Sequence, residues 1–105
     1  MTQEEINEKK SFVAYYFAEF NDDARKALGY RTFKLAFSDI SVKLGGPDNE
    51  YLKQRRDEFD VFYPWRKGYC NRSVTTAVSN YHQQWKDIAF EEFTRKVKQL
   101  LTNNQ

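Results

Sequence analysis

The stretch from Thr32 to Arg72 decides the expected fold, and it reads TFKLAFSDISVKLGG (32–46), PDNEYLKQRRDEFD (47–60) and VFYPWRKGYCNR (61–72). The first segment has the apolar spacing of a helix and ends at two glycines, which favour a helix stop. The second segment begins with proline, which suits the first turn of a helix. The third alternates aromatic and cationic residues. This order predicts a helix-turn-helix-like pair followed by a loop that can contact nucleic acid.

Upstream of this stretch, capping residues predict two more helices. Thr2 is placed to cap a helix whose first turn is acidic, which suits the helix dipole. Asn21 is placed to cap a short helix that stops at Gly29. Thr32 should cap the first helix of the central stretch in the same way.

Downstream, Ser73 is placed to cap a fifth helix, and a last helix should begin near Asp87. No window alternates apolar and polar residues for long enough to indicate a strand. The expected fold is therefore all-α: a compact single domain of five or six helices over residues 1–105, with its core at about 4–101, containing the helix-turn-helix-like pair.

Charge is informative through its distribution. The formal net charge is only +2, which is too small to indicate a nucleic-acid binder by itself. Basic residues are concentrated between Lys53 and Arg72, whereas the first 23 residues are mainly acidic. The two Trp, seven Tyr and nine Phe supply large apolar areas, so we expect many of them in the core.

The residues that carry chemistry are few. Cys70 is the single cysteine and His82 the single histidine, which excludes an internal disulfide and the usual zinc constellations within one chain. The four glycines do not form a phosphate-binding loop. We therefore expect no metal, no cofactor and no catalytic residue. The sequence has no secretory signal and no apolar run long enough to span a bilayer, so the expected location is the cytoplasm, without a membrane partner.

Two groups of residues are predicted to bind DNA. The second helix of the pair presents side chains that can reach phosphates or base edges, namely Lys53, Gln54 and Arg56. The following loop has cations for phosphates and an aromatic ring for stacking, namely Arg66, Lys67, Tyr69 and Arg72. An equally open reading is that Trp65 and Tyr69 fold back on the helix ends and leave the cations solvated.

Acidic residues at the end of the same helix would repel phosphate unless arginines neutralise them. The motif RRDEFD (55–60) predicts such structural ion pairing, with Arg55 near the buried side and three carboxylates, Asp57, Glu58 and Asp60.

These motifs resemble a small helical domain at the N-terminus of modification-dependent restriction proteins related to McrA and McrB, where it precedes HNH nuclease or AAA+ GTPase parts. The likeness covers roughly residues 11 to 101 and rests mainly on RRDEFD (55–60) and RKGY (66–69). It departs at Pro47-Asp48, at Tyr69 in place of tryptophan, and at Cys70-Asn71. The resemblance implies a DNA-associated accessory domain of a defence system, with the nuclease or motor located elsewhere.

The expected function is a non-catalytic, DNA-binding targeting module of a restriction or anti-phage defence system, with DNA and other parts of a restriction complex as partners. The alternative is a protein-interaction adaptor that docks other domains or subunits through Tyr63, Trp65 and Tyr69. Arginine, tryptophan and tyrosine also dominate protein-protein hot spots, so composition does not separate the two readings.

Overall fold

A computed structural model of the chain describes residues 2–44, 50–62 and 75–103. These ranges contain six α-helices and no strand, which confirms the all-α prediction. The helices are α1 (Gln3–Phe20), α2 (Asp22–Leu28), α3 (Phe33–Lys43), α4 (Glu50–Phe59), α5 (Thr76–Trp85) and α6 (Phe90–Asn103), and a short 3-10 helix, Asp60–Phe62, follows α4. The radius of gyration is 12.8 Å, close to the roughly 13 Å of a compact domain of about 100 residues. None of the described helices is both long and apolar enough to cross a membrane.

The core is built around α1. Every residue from Val13 to Ala18 is completely buried, so this part of the helix is covered on all sides. A helix that is apolar all round belongs in the interior, with the other helices arranged about it.

Aromatic rings join α1 to α6. The ring of Phe20 lies 4.8 Å from that of Phe90, and the ring of Phe12 lies 4.4 Å from that of Phe93. The Tyr16 hydroxyl lies 2.6 Å from the hydroxyl of Thr94. Since later residues of α6 meet earlier residues of α1, the two helices are antiparallel.

Two other faces of α1 receive α3 and α4. Phe17 points towards α3, with its ring 6.0 Å from Phe33 and 5.4 Å from Phe37. The face formed by Ser11, Ala14 and Ala18 is fully buried and small, which allows a neighbouring helix to approach closely. We assign it to α4, because α4 makes its most extensive contact with α1 and Phe59 packs edge-on against Tyr15 at 4.9 Å.

Three predicted helix ends are confirmed. The hydroxyl oxygens of Thr2 and Thr32 accept hydrogen bonds from the backbone N–H groups of Glu5 and Leu35, as N-caps do. Gly29 ends α2 in the left-handed region, with φ of 84°, and its N–H donates to backbone carbonyls of α2.

Two predicted helix starts are wrong. The N-cap of α5 is Thr75, whose hydroxyl accepts from the Val78 N–H, in place of the expected Ser73, which itself lies outside the described residues. The last helix begins at Phe90, because the residues after Trp85 form a turn closed by the Ile88 N–H donating to the Trp85 carbonyl. Asp87 therefore precedes the helix.

Asn21 occupies the predicted position before α2 but acts differently from a side-chain cap. It makes no side-chain capping hydrogen bond, and its backbone has a positive φ of 48°. Its side-chain oxygen instead accepts a hydrogen bond from Arg56 of α4. The residue therefore joins two distant parts of the chain.

Candidate nucleic-acid interface

The solvent-facing side of α4 carries two of the predicted DNA-binding side chains. Lys53 and Gln54 are exposed, whereas Leu52 and Phe59 are completely buried against the core. Asp57 is exposed on the same outward side. The predicted outward position is therefore confirmed for Lys53 and Gln54 but not for Arg56, which was expected on the same side.

Arg55 makes the kind of ion pair that the RRDEFD motif predicts. Its Nη1 donates to Oε2 of Glu58 at 3.0 Å, and both side chains are largely buried. The guanidinium also lies 5.9 Å from the ring centroid of Tyr81 on α5. This pairing neutralises one carboxylate that would otherwise repel a phosphate. Asp57 is described only as exposed, and the side chain of Asp60 lies outside the described residues.

Arg56 is placed differently from the DNA-facing position expected for it. Its Nη2 donates to Oδ1 of Asn21 at 2.9 Å, and its guanidinium lies 4.7 Å from the ring centroid of Phe33 and 5.9 Å from that of Phe37. The cause is helical spacing: Arg56 follows the buried Leu52 by four residues, so it borders the buried side. The spacing in the sequence therefore indicated that Arg56 lies near the buried side. Its partners, Asn21 and Phe33, belong to other parts of the chain and could not be inferred from that spacing.

A second arginine, missed by sequence reasoning, lies at the same aromatic ring. The Arg25 guanidinium is 5.7 Å from the Phe33 centroid, and its Nη1 donates to the carbonyls of Tyr30 and Arg31 at 2.9 Å each. Phe33 is thus bordered by two guanidiniums at the start of α3. Such cation-π contacts typically contribute about 0.5–1 kcal/mol each at exposed sites.

Basic residues extend this cluster along the start of α3. Arg31 and Lys34 are exposed on either side of Phe33 in sequence, and the first turn of α3 contains no acidic residue. Arg25 is also ion-paired with Asp22, with its Nε 3.6 Å from Oδ1 of the carboxylate. The exposed positive charge of the described structure is therefore wider than the predicted set through Arg31 and Lys34.

The four predicted contacts of the loop, Arg66, Lys67, Tyr69 and Arg72, lie outside the described residues, as do Tyr63, Trp65 and Cys70. Their part in DNA binding stays a prediction from the sequence.

His82 is a packed side chain. Its ring stacks on Phe62 with centroids 3.8 Å apart and planes 3° from parallel, and its Nδ1 lies 3.0 Å from the Tyr15 hydroxyl. Burial, and to a lesser extent Lys86, lowers the pKa of His82 below its usual 6.5, which favours the neutral ring at physiological pH. Across residues 2–44, 50–62 and 75–103, no three His, Cys, Asp or Glu side chains converge as a metal site.

Comparisons of the chain with protein-family models, with curated proteins and with solved structures found no match. The resemblance to the N-terminal domains of restriction proteins therefore rests on the sequence motifs alone.

Proposed function

We propose that this chain is a non-catalytic DNA-binding module that targets a restriction or anti-phage defence system, with nuclease or motor activity on another domain or subunit. The observation that supports it most is the outward side of α4, where Lys53 and Gln54 are exposed next to an arginine that neutralises Glu58. In the chain, the basic-aromatic segment YPWRKGYCNR (63–72) follows this helix directly.

The contact is mainly with the DNA backbone. Lys53 neutralises a phosphate, and Gln54 has the donor and acceptor that can read an adenine edge. The exposed carboxylate of Asp57, one turn after Lys53, disfavours deep insertion of α4 into a groove because it would face phosphates. Arg66, Lys67, Tyr69 and Arg72 supply the remaining contacts in this proposal.

In this proposal, Arg25 and Arg56 support the surface next to α4 and are not direct DNA contacts. Both guanidiniums contact the ring of Phe33, and Arg25 is also paired with Asp22. The exposed positive charge at the start of α3 comes from Arg31 and Lys34. A DNA strand that crosses α4 would meet this charge next, so the surface attracts phosphate over more than one helix.

Charge reversal tests the proposal. The variant R66E/K67E should bind a fluorescent DNA duplex roughly tenfold or more weakly than wild type at low salt, because two phosphate contacts become repulsive. The matched control K86E/K98E changes two exposed lysines, Lys86 directly after α5 and Lys98 on α6, by the same charge and should bind as wild type does. Unchanged binding by a folded R66E/K67E variant would refute the proposal.

One observation favours the adaptor alternative. Leu35 and Val42 are 53% and 64% exposed, and their spacing of seven residues places them on one outward face of α3. Such a face can dock another domain or subunit. Association that is insensitive to salt and is lost in the variant L35K/V42K would favour the adaptor over DNA binding.

A further inference from the structure

The ring of Phe62 lies flat on the imidazole of His82. The two ring centroids are 3.8 Å apart and the planes are 3° from parallel, so the rings are in face-to-face contact. Phe62 ends the short 3-10 helix after α4, and His82 lies on α5. The contact therefore fixes the end of the 3-10 helix on α5.

The imidazole on which Phe62 lies is itself held by the core. Its Nδ1 is 3.0 Å from the hydroxyl oxygen of Tyr15, and Tyr15 is completely buried on α1. The Tyr15 ring meets Phe59 edge-on at 4.9 Å and Trp85 at 5.9 Å. A hydrogen bond to a buried hydroxyl group restricts the orientation of the imidazole, so the surface under Phe62 is tied to α1.

The same helix, α5, also holds the chain at residue 75. Residues 63–74, which contain the predicted DNA contacts Arg66, Lys67, Tyr69 and Arg72, join Phe62 to Thr75. Thr75 is the N-cap of α5, and its hydroxyl accepts a hydrogen bond from the Val78 N–H. His82 follows Thr75 by seven residues, which is about two turns or roughly 10 Å along the helix axis. Both ends of the connection are therefore held on one helix.

The stack determines where the chain leaves α5. Without it, the nearest fully buried residue before the connection is Phe59. A longer connection by itself costs little, because the entropy of a loop rises slowly with its length. The larger consequence is for binding, since a segment without a fixed starting point must be ordered when it meets its ligand, at a cost in affinity.

We propose that Phe62 and His82 are positioning residues for DNA binding: their stack fixes the start of residues 63–74 on α5 and so lowers the cost of bringing the cations of that segment to the duplex. This inference rests on the proposed function and deepens it, since it names two residues that set the affinity without touching DNA. His82 acts through the face of its ring and through its hydrogen bond to Tyr15.

Three variants test the role of the stack in DNA binding. F62A removes one ring and leaves the hydrogen bond between His82 and Tyr15 in place, whereas H82A removes the other ring. By fluorescence anisotropy at low salt, each should bind a labelled duplex roughly three- to tenfold more weakly than wild type, the range that one aromatic contact supplies. F62A/H82A should bind no more weakly than the weaker single variant, because both changes remove the same contact. F62Y keeps the ring and should bind as wild type does.

Trypsin cleavage without DNA provides a second readout. Cleavage after Arg66, Lys67 and Arg72, mapped by mass spectrometry, should be roughly fivefold faster in F62A and H82A, because local opening exposes the backbone to protease. The control F90A removes a partly buried ring that packs on Phe20 of α1. It should keep wild-type affinity for the duplex and wild-type cleavage at these three sites. Circular dichroism verifies that each variant is folded at the assay temperature.

The two readouts separate failure of the stack from failure of DNA binding. Unchanged cleavage in folded F62A and H82A would overturn the inference whether or not the protein binds DNA. Faster cleavage with unchanged affinity, or additive losses of affinity in F62A/H82A, would also overturn it. Absence of duplex binding by wild type would refute the proposed function and, with it, the role of the stack in DNA binding.

Discussion

At the scale of single residues, Glu19 makes stability depend on pH. One of its carboxylate oxygens is buried and has no hydrogen-bond partner among the described residues. Burial, reinforced by the negative charge of Asp87, raises the pKa of Glu19 from 4.5 to about 7. The folded state therefore holds a proton that the unfolded state releases between these values. The stabilising contribution is complete below pH 4.5 and is lost as the pH rises through about 7.

The variant E19Q should remove this dependence, because glutamine does not titrate. Urea unfolding at pH 5 and pH 8 should show that wild type loses more stability than E19Q over this interval. His82 acts in the opposite sense, since its lowered pKa makes stability rise with pH up to about 6.5, so the difference between the two proteins is the informative quantity. The control E4Q, at an exposed site, should follow wild type. Parallel pH profiles for wild type and E19Q would contradict the assignment.

Arg56 should contribute measurably to stability. The variant R56A loses the hydrogen bond to Asn21 and the contact with Phe33, and we expect the free energy of unfolding to fall by about 2 kcal/mol. The control K53A, on the exposed side of the same helix, should change it by less than about 0.5 kcal/mol. If urea unfolding shows that R56A and K53A change the free energy of unfolding equally, the contacts of Arg56 do not stabilise the fold and the prediction is wrong.

The two arginines show what spacing can and cannot predict. Arg55 was expected near the buried side and in an ion pair, and it lies there because its partner Glu58 is one turn away on the same helix. Arg56 has equivalent spacing from the buried Leu52, but its partner Asn21 is 35 residues distant in sequence. Only the tertiary structure identifies such a partner.

At the scale of elements, helix ends set by a single local interaction were predictable. Thr2, Thr32 and Gly29 act where the sequence places them, because each satisfies backbone groups within one turn. The start of α5 was not predictable, because Ser73 and Thr75 have similar capping chemistry and the local sequence does not favour one over the other. The start of α6 follows the turn after Trp85, and the first residue of the helix, Phe90, packs against Phe20 of α1, a contact that local sequence does not reveal.

Gly29 provides a test at this scale. Its φ of 84° is unfavourable for residues with a side chain, while open space surrounds the position of an added Cβ. The variant G29A should therefore lower the free energy of unfolding by about 1–2 kcal/mol through backbone strain alone. G29N should lose less, because asparagine tolerates the left-handed region better. Thermal unfolding of both variants measures the difference, and an unaffected G29A would contradict it.

At the scale of the whole molecule, α1 organises the protein. Its apolar run from Phe12 to Ala18 is visible in the sequence, but several other segments also have apolar stripes, and none of them reveals which helix is central. The structure resolves this through the rings of Phe12, Tyr16 and Phe20, which all meet α6. The site is less complete: Lys53 and Gln54 are exposed as predicted, whereas the predicted loop contacts lie outside the described residues.

The most direct test of DNA binding is a titration of labelled plain, methylated and single-stranded DNA at several salt concentrations. Four cations, Lys53, Arg66, Lys67 and Arg72, are proposed to contact duplex phosphates, so the logarithm of the affinity for duplex should fall against the logarithm of salt concentration with a slope of roughly −3 to −4. In the variant R66E/K67E the magnitude of this slope should be smaller by about two, because two phosphate contacts are lost. Absence of binding to all three DNAs at low salt, or binding that does not change with salt, would contradict it.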